Sequence, residues 1–186
     1  YFVVAHFHIV MGFSAVNAMF AGVYHWFPKM YGRMMNQKLG IVHFWATLVS
    51  GYGVFFPMHF LGLAGVPRRY YTNSEFPMFD NMVDINELIS IFAVAAMIGQ
   101  LVFFFNFVYS AFRGPKAPMN PWKANTLEWT AEVKHIHGNW DGPIPHVHRW
   151  AYDYSKVDES GEYILPGQDF VPQTVPLQED EEELQH

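Results

Sequence analysis

Two histidines separated by one residue, His6 and His8, lie inside an apolar run. On a helix each residue turns by about 100°, so side chains two positions apart point roughly 200° away from one another. The two imidazoles therefore face opposite sides and cannot close on one metal ion, which takes the i,i+4 spacing of HExxH. Opposed imidazoles at one depth can instead serve two separate centres. Imidazole is an axial ligand of haem iron, and a flat apolar haem fits between packed helices. With only Phe7 between the ligands, two such centres would exchange electrons quickly. A second constellation is Val66-Pro67-Arg68-Arg69. Adjacent guanidiniums suit bidentate recognition of carboxylates, and haem propionates are carboxylates. The plainer reading of the arginines is an interfacial anchor.

Further histidines carry weaker signals. His25 shares the helix of His6 and His8, and His43 and His59 share the next apolar run. A hydrogen bond inside the structure is the expected role of His59, not ligation. Downstream, His135-Ile136-His137 and His146-Val147-His148 are two HxH pairs. On extended chain, residues i and i+2 share a face, so the four could take zinc or copper, against a surface-packing role.

These residues must be held by elements, and the charge pattern names them. Tyr1–Pro28, Leu39–Pro67 and Leu88–Phe112 contain no Asp, Glu, Lys or Arg. Each exceeds the roughly 20 residues a helix needs to cross about 30 Å of hydrocarbon. Lipid admits helices or closed barrels, and the runs are too long for barrel strands. The expected fold is an all-α membrane protein with transmembrane helices at about 1–28, 39–66 and 86–112. A polar tail, 113–186, follows; it is rich in Pro and Trp and ends in the acidic run Glu179–Glu183. Ala18-x-x-x-Gly22 and Ala95-x-x-x-Gly99 offer small-residue packing faces, and Pro57 should kink the second helix.

Orientation follows from the basic residues. Lys29, Arg33 and Lys38 precede the second helix, and Arg113, Lys116 and Lys123 follow the third. The opposite side has Arg68 and Arg69 among Glu75, Asp80, Asp84 and Glu87. The positive-inside rule puts the first connection and the tail in the cytoplasm. Trp26, Tyr31 and Trp122 stand where interfacial aromatics are expected.

Composition removes several function classes. The 186 residues include no cysteine, which excludes disulfides, iron–sulfur clusters and thiol catalysis. A net charge of -6 speaks against nucleic acid as a partner. Charged residues are 15% and aromatics 18%, which fits a bilayer and not a disordered chain. Tyr1 stands within an apolar run without a preceding Met, so the chain is expected to be a piece of a longer protein.

Together the motifs resemble subunit I of the haem–copper terminal oxidases. The resemblance rests on Ala5-His6-Phe7-His8, Tyr24-His25-Trp26-Phe27-Pro28, Phe55-Phe56-Pro57-Met58-His59-Phe60-Leu61-Gly62-Leu63 and Pro67-Arg68-Arg69-Tyr70. In the tail, Asn120-Pro121-Trp122, Leu127-Glu128-Trp129-Thr130, Tyr152-Asp153-Tyr154-Ser155 and Asp169–Pro176 are similar to bacterial aa3-type members more than to mitochondrial ones. The resemblance implies the last three helices of a twelve-helix bundle. It implies that His6 is the axial ligand of a high-spin haem and the catalytic residue here. His8 would ligate a low-spin haem, and Arg68 and Arg69 would hold haem propionates. Two haems of the a type and a copper are implied, with the copper ligands upstream of Tyr1 and none in this chain. The implied reaction is reduction of dioxygen to water by cytochrome c, coupled to proton pumping. Partners would be oxidase subunits II and III, the N-terminal part of subunit I and the lipid bilayer of a bacterial inner membrane. Two alternatives stay open: a quinol oxidase of the same superfamily, and a non-catalytic diheme membrane electron carrier or scaffold.

Overall fold

A computed structural model describes residues 1–70, 76–131, 140, 142–151 and 173–174. The His135 and His137 pair and the acidic run lie outside these residues. The described residues are helical, with no strand among them. Helix α1 (Phe2–Phe7) passes into a π-helical segment (His8–Phe13) and then into α2 (Ser14–Tyr31). Helix α3 spans Gln37–Leu63, and a 3-10 turn (Pro77–Met82) leads into α4 (Val83–Arg113). Three continuous helices are long and apolar enough to cross a membrane: Phe2–Tyr31, Gln37–Leu63 and Pro77–Arg113. The chain clusters into two compact units. One holds Tyr1–Phe27 and Arg33–Pro115; the other holds Pro28–Gly32 and the chain from Lys116 onward.

The first helix runs through Pro28 to Tyr31 and does not stop at the proline. Helix α3 stops three residues before the expected 66, for a local reason. Gly65 takes the left-handed conformation (φ 85°), which costs a glycine little. The Gly65 N–H then donates to the Gly62 carbonyl at 3.1 Å, and Val66 N–H donates to Leu61 at 3.0 Å. This is a Schellman motif, completed by its apolar contact: Leu61 and Val66 are buried in one cluster with Phe79 and Ile89. At the other end, the Asn36 side chain caps α3 by accepting from the Leu39 N–H at 3.2 Å. Pro57 lies inside α3 without ending it.

Between helices in lipid, close packing and hydrogen bonds replace the hydrophobic effect. Helix α3 supplies the room. A Cβ on Gly51 would fall 2.3 Å from the Phe13 ring, and one on Gly53 would fall 2.3 Å from the Phe92 ring. At Gly62 it would overlap the Phe2 backbone. Of the expected small-residue pairs, Gly99 does pack closely on Ala46 of α3. Among the described residues, a Cβ on Gly22 would meet only the Trp26 side chain of α2 itself, which leaves this face uncovered within the chain. The start of α3 and the end of α4 are tied by polar groups. Asn106, fully buried, accepts from the Asn36 N–H at 3.1 Å and donates to the Asn36 carbonyl at 3.0 Å. Ser110 Oγ donates to Asn106 Oδ1 at 3.0 Å, and Arg33 donates to the Gly114 carbonyl at 2.6 Å.

The second unit is organised by short-range turns. Asn120 Oδ1 accepts from the Ala124 N–H at 2.9 Å, and Trp129, buried on a 3-10 turn (Leu127–Trp129), lies 5.4 Å under the Lys29 ammonium. Lys29 also donates to the Ala131 carbonyl at 3.1 Å. Gln173 ties two stretches together: its Oε1 accepts from the Leu127 N–H and its N–H donates to the Asn125 carbonyl, while its own carbonyl accepts from the His148 N–H.

Candidate functional site

Hydrogen-bond accounting sorts the histidines. His8 is half-buried, and its Nδ1 lies 2.8 Å from the Val4 carbonyl one turn earlier. A carbonyl only accepts, so Nδ1 carries the proton and Nε2 keeps its lone pair. A ring nitrogen donating to a backbone carbonyl is the arrangement that fixes the tautomer and orientation of a metal-ligating histidine. The ring also stacks on Phe55 of α3, with centroids 4.8 Å apart and planes 14° apart. The preceding Phe7 ring lies 4.2 Å away at 33°.

His6 is exposed and makes none of the contacts that place His8 against α3. Its own helix positions it two residues before the π-helical segment. The segment starts at His8, where the wider i→i+5 turn changes the rise and rotation of everything downstream. π-Helical turns occur frequently at functional sites. The sequence reading did not anticipate it: no residue type in His8–Phe13 marks a π turn.

His43 is the opposite case. It is 2% exposed, with Nε2 3.2 Å from Gln100 Oε1 and Nδ1 3.4 Å from the Tyr24 hydroxyl. Gln100 in turn donates to Thr47 Oγ1 at 3.0 Å. Both ring nitrogens are engaged, so this imidazole has no lone pair to offer a metal. His59 donates from Nδ1 to the Phe55 carbonyl at 3.1 Å, the same one-turn-back bond that His8 makes; what His8 has besides is the near-parallel ring stack on Phe55. His25 packs edge-on against Trp26, with centroids 5.5 Å apart.

Arg68 and Arg69 follow directly on the cap of α3, and both are exposed. Arg69 has a left-handed backbone (φ 68°), unusual for a residue with a Cβ. Such strain collects where the surroundings require a set direction. In the tail, the rings of His146 and His148 lie 6.3 Å apart, and no third His, Cys or acid joins them among the described residues.

Comparison with known proteins decides the family. The family model described as "Cytochrome C and Quinol oxidase polypeptide I" matches residues 1–102, which include His6, His8, Arg68 and Arg69. The chain belongs to the cytochrome c and quinol oxidase polypeptide I family. It is 46% identical over 179 residues to the alternative cytochrome c oxidase subunit 1 of Bradyrhizobium diazoefficiens, covering 94% of this chain and 29% of that protein. Against cytochrome c oxidase subunit 1 of Thermostichus vulcanus it is 41% identical over 155 residues, 83% of this chain and 27% of the relative. Against that of Synechocystis it is 45% identical over 130 residues, 69% of this chain and 22% of the relative. The chain thus spans less than a third of the length of these curated relatives. Family membership implies haem and copper cofactors and a membrane environment.

Proposed function

We propose that this chain is the C-terminal, three-helix part of subunit I of a respiratory terminal oxidase, which reduces dioxygen to water with electrons from cytochrome c and pumps protons. The observation that carries the reading is the state of His8: Nδ1 is tied to the Val4 carbonyl, and the lone-pair nitrogen is left for iron. His8 would hold the low-spin haem, and His6, exposed two residues earlier, would hold the high-spin haem as the catalytic residue. The donor set fits: both are imidazoles, and no cysteine competes for iron.

Bound haem supplies one-electron transfer at one centre and oxygen chemistry at the other. The residues of this chain hold and tune. The Val4 carbonyl raises the basicity of His8 by accepting its proton in a hydrogen bond. Arg68 and Arg69, fixed cations at the end of α3, offset propionate charge and so favour the oxidised or reduced state by electrostatics alone. Copper is held by residues outside this chain. Cytochrome c is favoured over quinol as donor because the three relatives compared are named cytochrome c oxidases. The haems are of the a type, the membrane is a bacterial inner membrane, and the tail from residue 113 lies on the cytoplasmic side. Subunits II and III and the N-terminal part of subunit I complete the assembly.

The experiment is made on the complete oxidase. His8→Ala removes the low-spin haem absorbance and spares the high-spin signal; His6→Ala does the converse. Loss of the same haem in both variants would sink the assignment. Arg68→Ala shifts the midpoint potential of one haem at unchanged haem content. A potential equal to the parent's rejects the propionate role.

A further inference from the structure

The hydrogen bond from His8 to Val4 leaves one motion open. A single N–H···O contact locates the ring edge but permits the ring to swing about that axis. Something else must set the plane of the imidazole, and the nearest ring across the helix interface is Phe55, 4.8 Å away and within 14° of parallel. Phe55 stands on a backbone that cannot easily shift. Four residues before it, Gly51 receives the Phe13 ring, and two before it, Gly53 receives the Phe92 ring, each closer than a Cβ would allow. Helix α3 is thereby pinned on both sides at the turn that carries Phe55.

We propose that Phe55 is a positioning residue for the low-spin centre: its ring fixes the plane of the His8 imidazole and with it the electronic state of the iron that His8 ligates. The inference rests on the haem assignment of His8 made above. It adds a residue on a different helix that touches no iron and acts only through the orientation of another side chain. The orientation of axial imidazole planes governs the splitting of the iron d orbitals in a six-coordinate ferric haem. The electron paramagnetic resonance g values therefore read the plane directly, independent of turnover.

The test uses the complete, oxidised oxidase. Phe55→Leu removes the flat partner and keeps apolar bulk; haem content is retained and the low-spin gz shifts. Phe55→Tyr keeps the ring, so its gz stays at the parent value. Should Phe55→Leu fail to assemble, Phe55→Met is read in its place. A gz unchanged in Phe55→Leu or Phe55→Met overturns the inference, as does an equal shift in Phe55→Tyr. His8→Ala separates the two claims. If that variant keeps the low-spin signal, the haem assignment falls. If it loses the signal while Phe55→Leu leaves gz unmoved, only the role of Phe55 falls.

Discussion

His8 and His43 lie on successive helices of one apolar unit, and their surroundings were built to opposite ends. Around His43 the polar groups close on one another: Tyr24, Gln100 and Thr47 saturate the ring and its neighbours. Around His8 one nitrogen is tied to its own helix, the ring face is covered by Phe55, and the other nitrogen is left over. Burial alone would rank them wrongly, since His43 is the more buried of the two. The count of committed ring nitrogens sets His43, with both engaged, apart from His8, with one.

The sharpest way to break this contrast is at the C-terminal end of α4, where the closed style of bonding is most concentrated. Asn106→Leu removes one bond each from the Asn36 N–H, the Asn36 carbonyl and Ser110, although the N–H keeps Ser110 Oγ and the carbonyl keeps the Gly40 N–H. Each lost hydrogen bond contributes about 0.5–1.5 kcal/mol net, so the complete oxidase should lose about 2–3 kcal/mol or fail to accumulate. Unfolding in mixed detergent measures it. Stability within error of the parent would show that the clamp is idle.

His43→Leu is the direct counterpart to the His8 substitution. Both haem spectra should survive it, in contrast to His8→Ala. Gln100 and Tyr24 lose a partner, which in lipid costs about 0.6–2 kcal/mol, read again in mixed detergent. Loss of either haem in this variant would erase the distinction between the two histidines.

These outcomes also mark what the sequence could and could not disclose. Charge-free length was enough to find three spans, because the bilayer sets a minimum that few buried helices meet. His6, His8, Arg68 and Arg69 stood out as candidates in the sequence because histidine and paired arginine are costly or conspicuous beside hydrocarbon. The closed network was not. The bond from His43 to Gln100 crosses 57 residues and that from Asn36 to Asn106 crosses 70, and periodicity names a face without naming its partner. The stack of Phe55 on His8 and the π segment at His8–Phe13 likewise depend on how α3 approaches the first helix.

The smallest effect concerns the cap between the two kinds of site, where α3 ends and the arginines begin. Gly65 holds φ at 85°, and a side chain there meets no neighbour, so Gly65→Ala isolates backbone strain from packing. The left-handed region costs a residue with a Cβ about 1–2 kcal/mol. If the Schellman cap is what aims Arg68 and Arg69, the strain should appear as a loss of about 1 kcal/mol in detergent unfolding together with a shifted haem potential. The stability term alone, with the potential unmoved, would mean that the arginines find their direction from the Arg69 backbone and not from the cap.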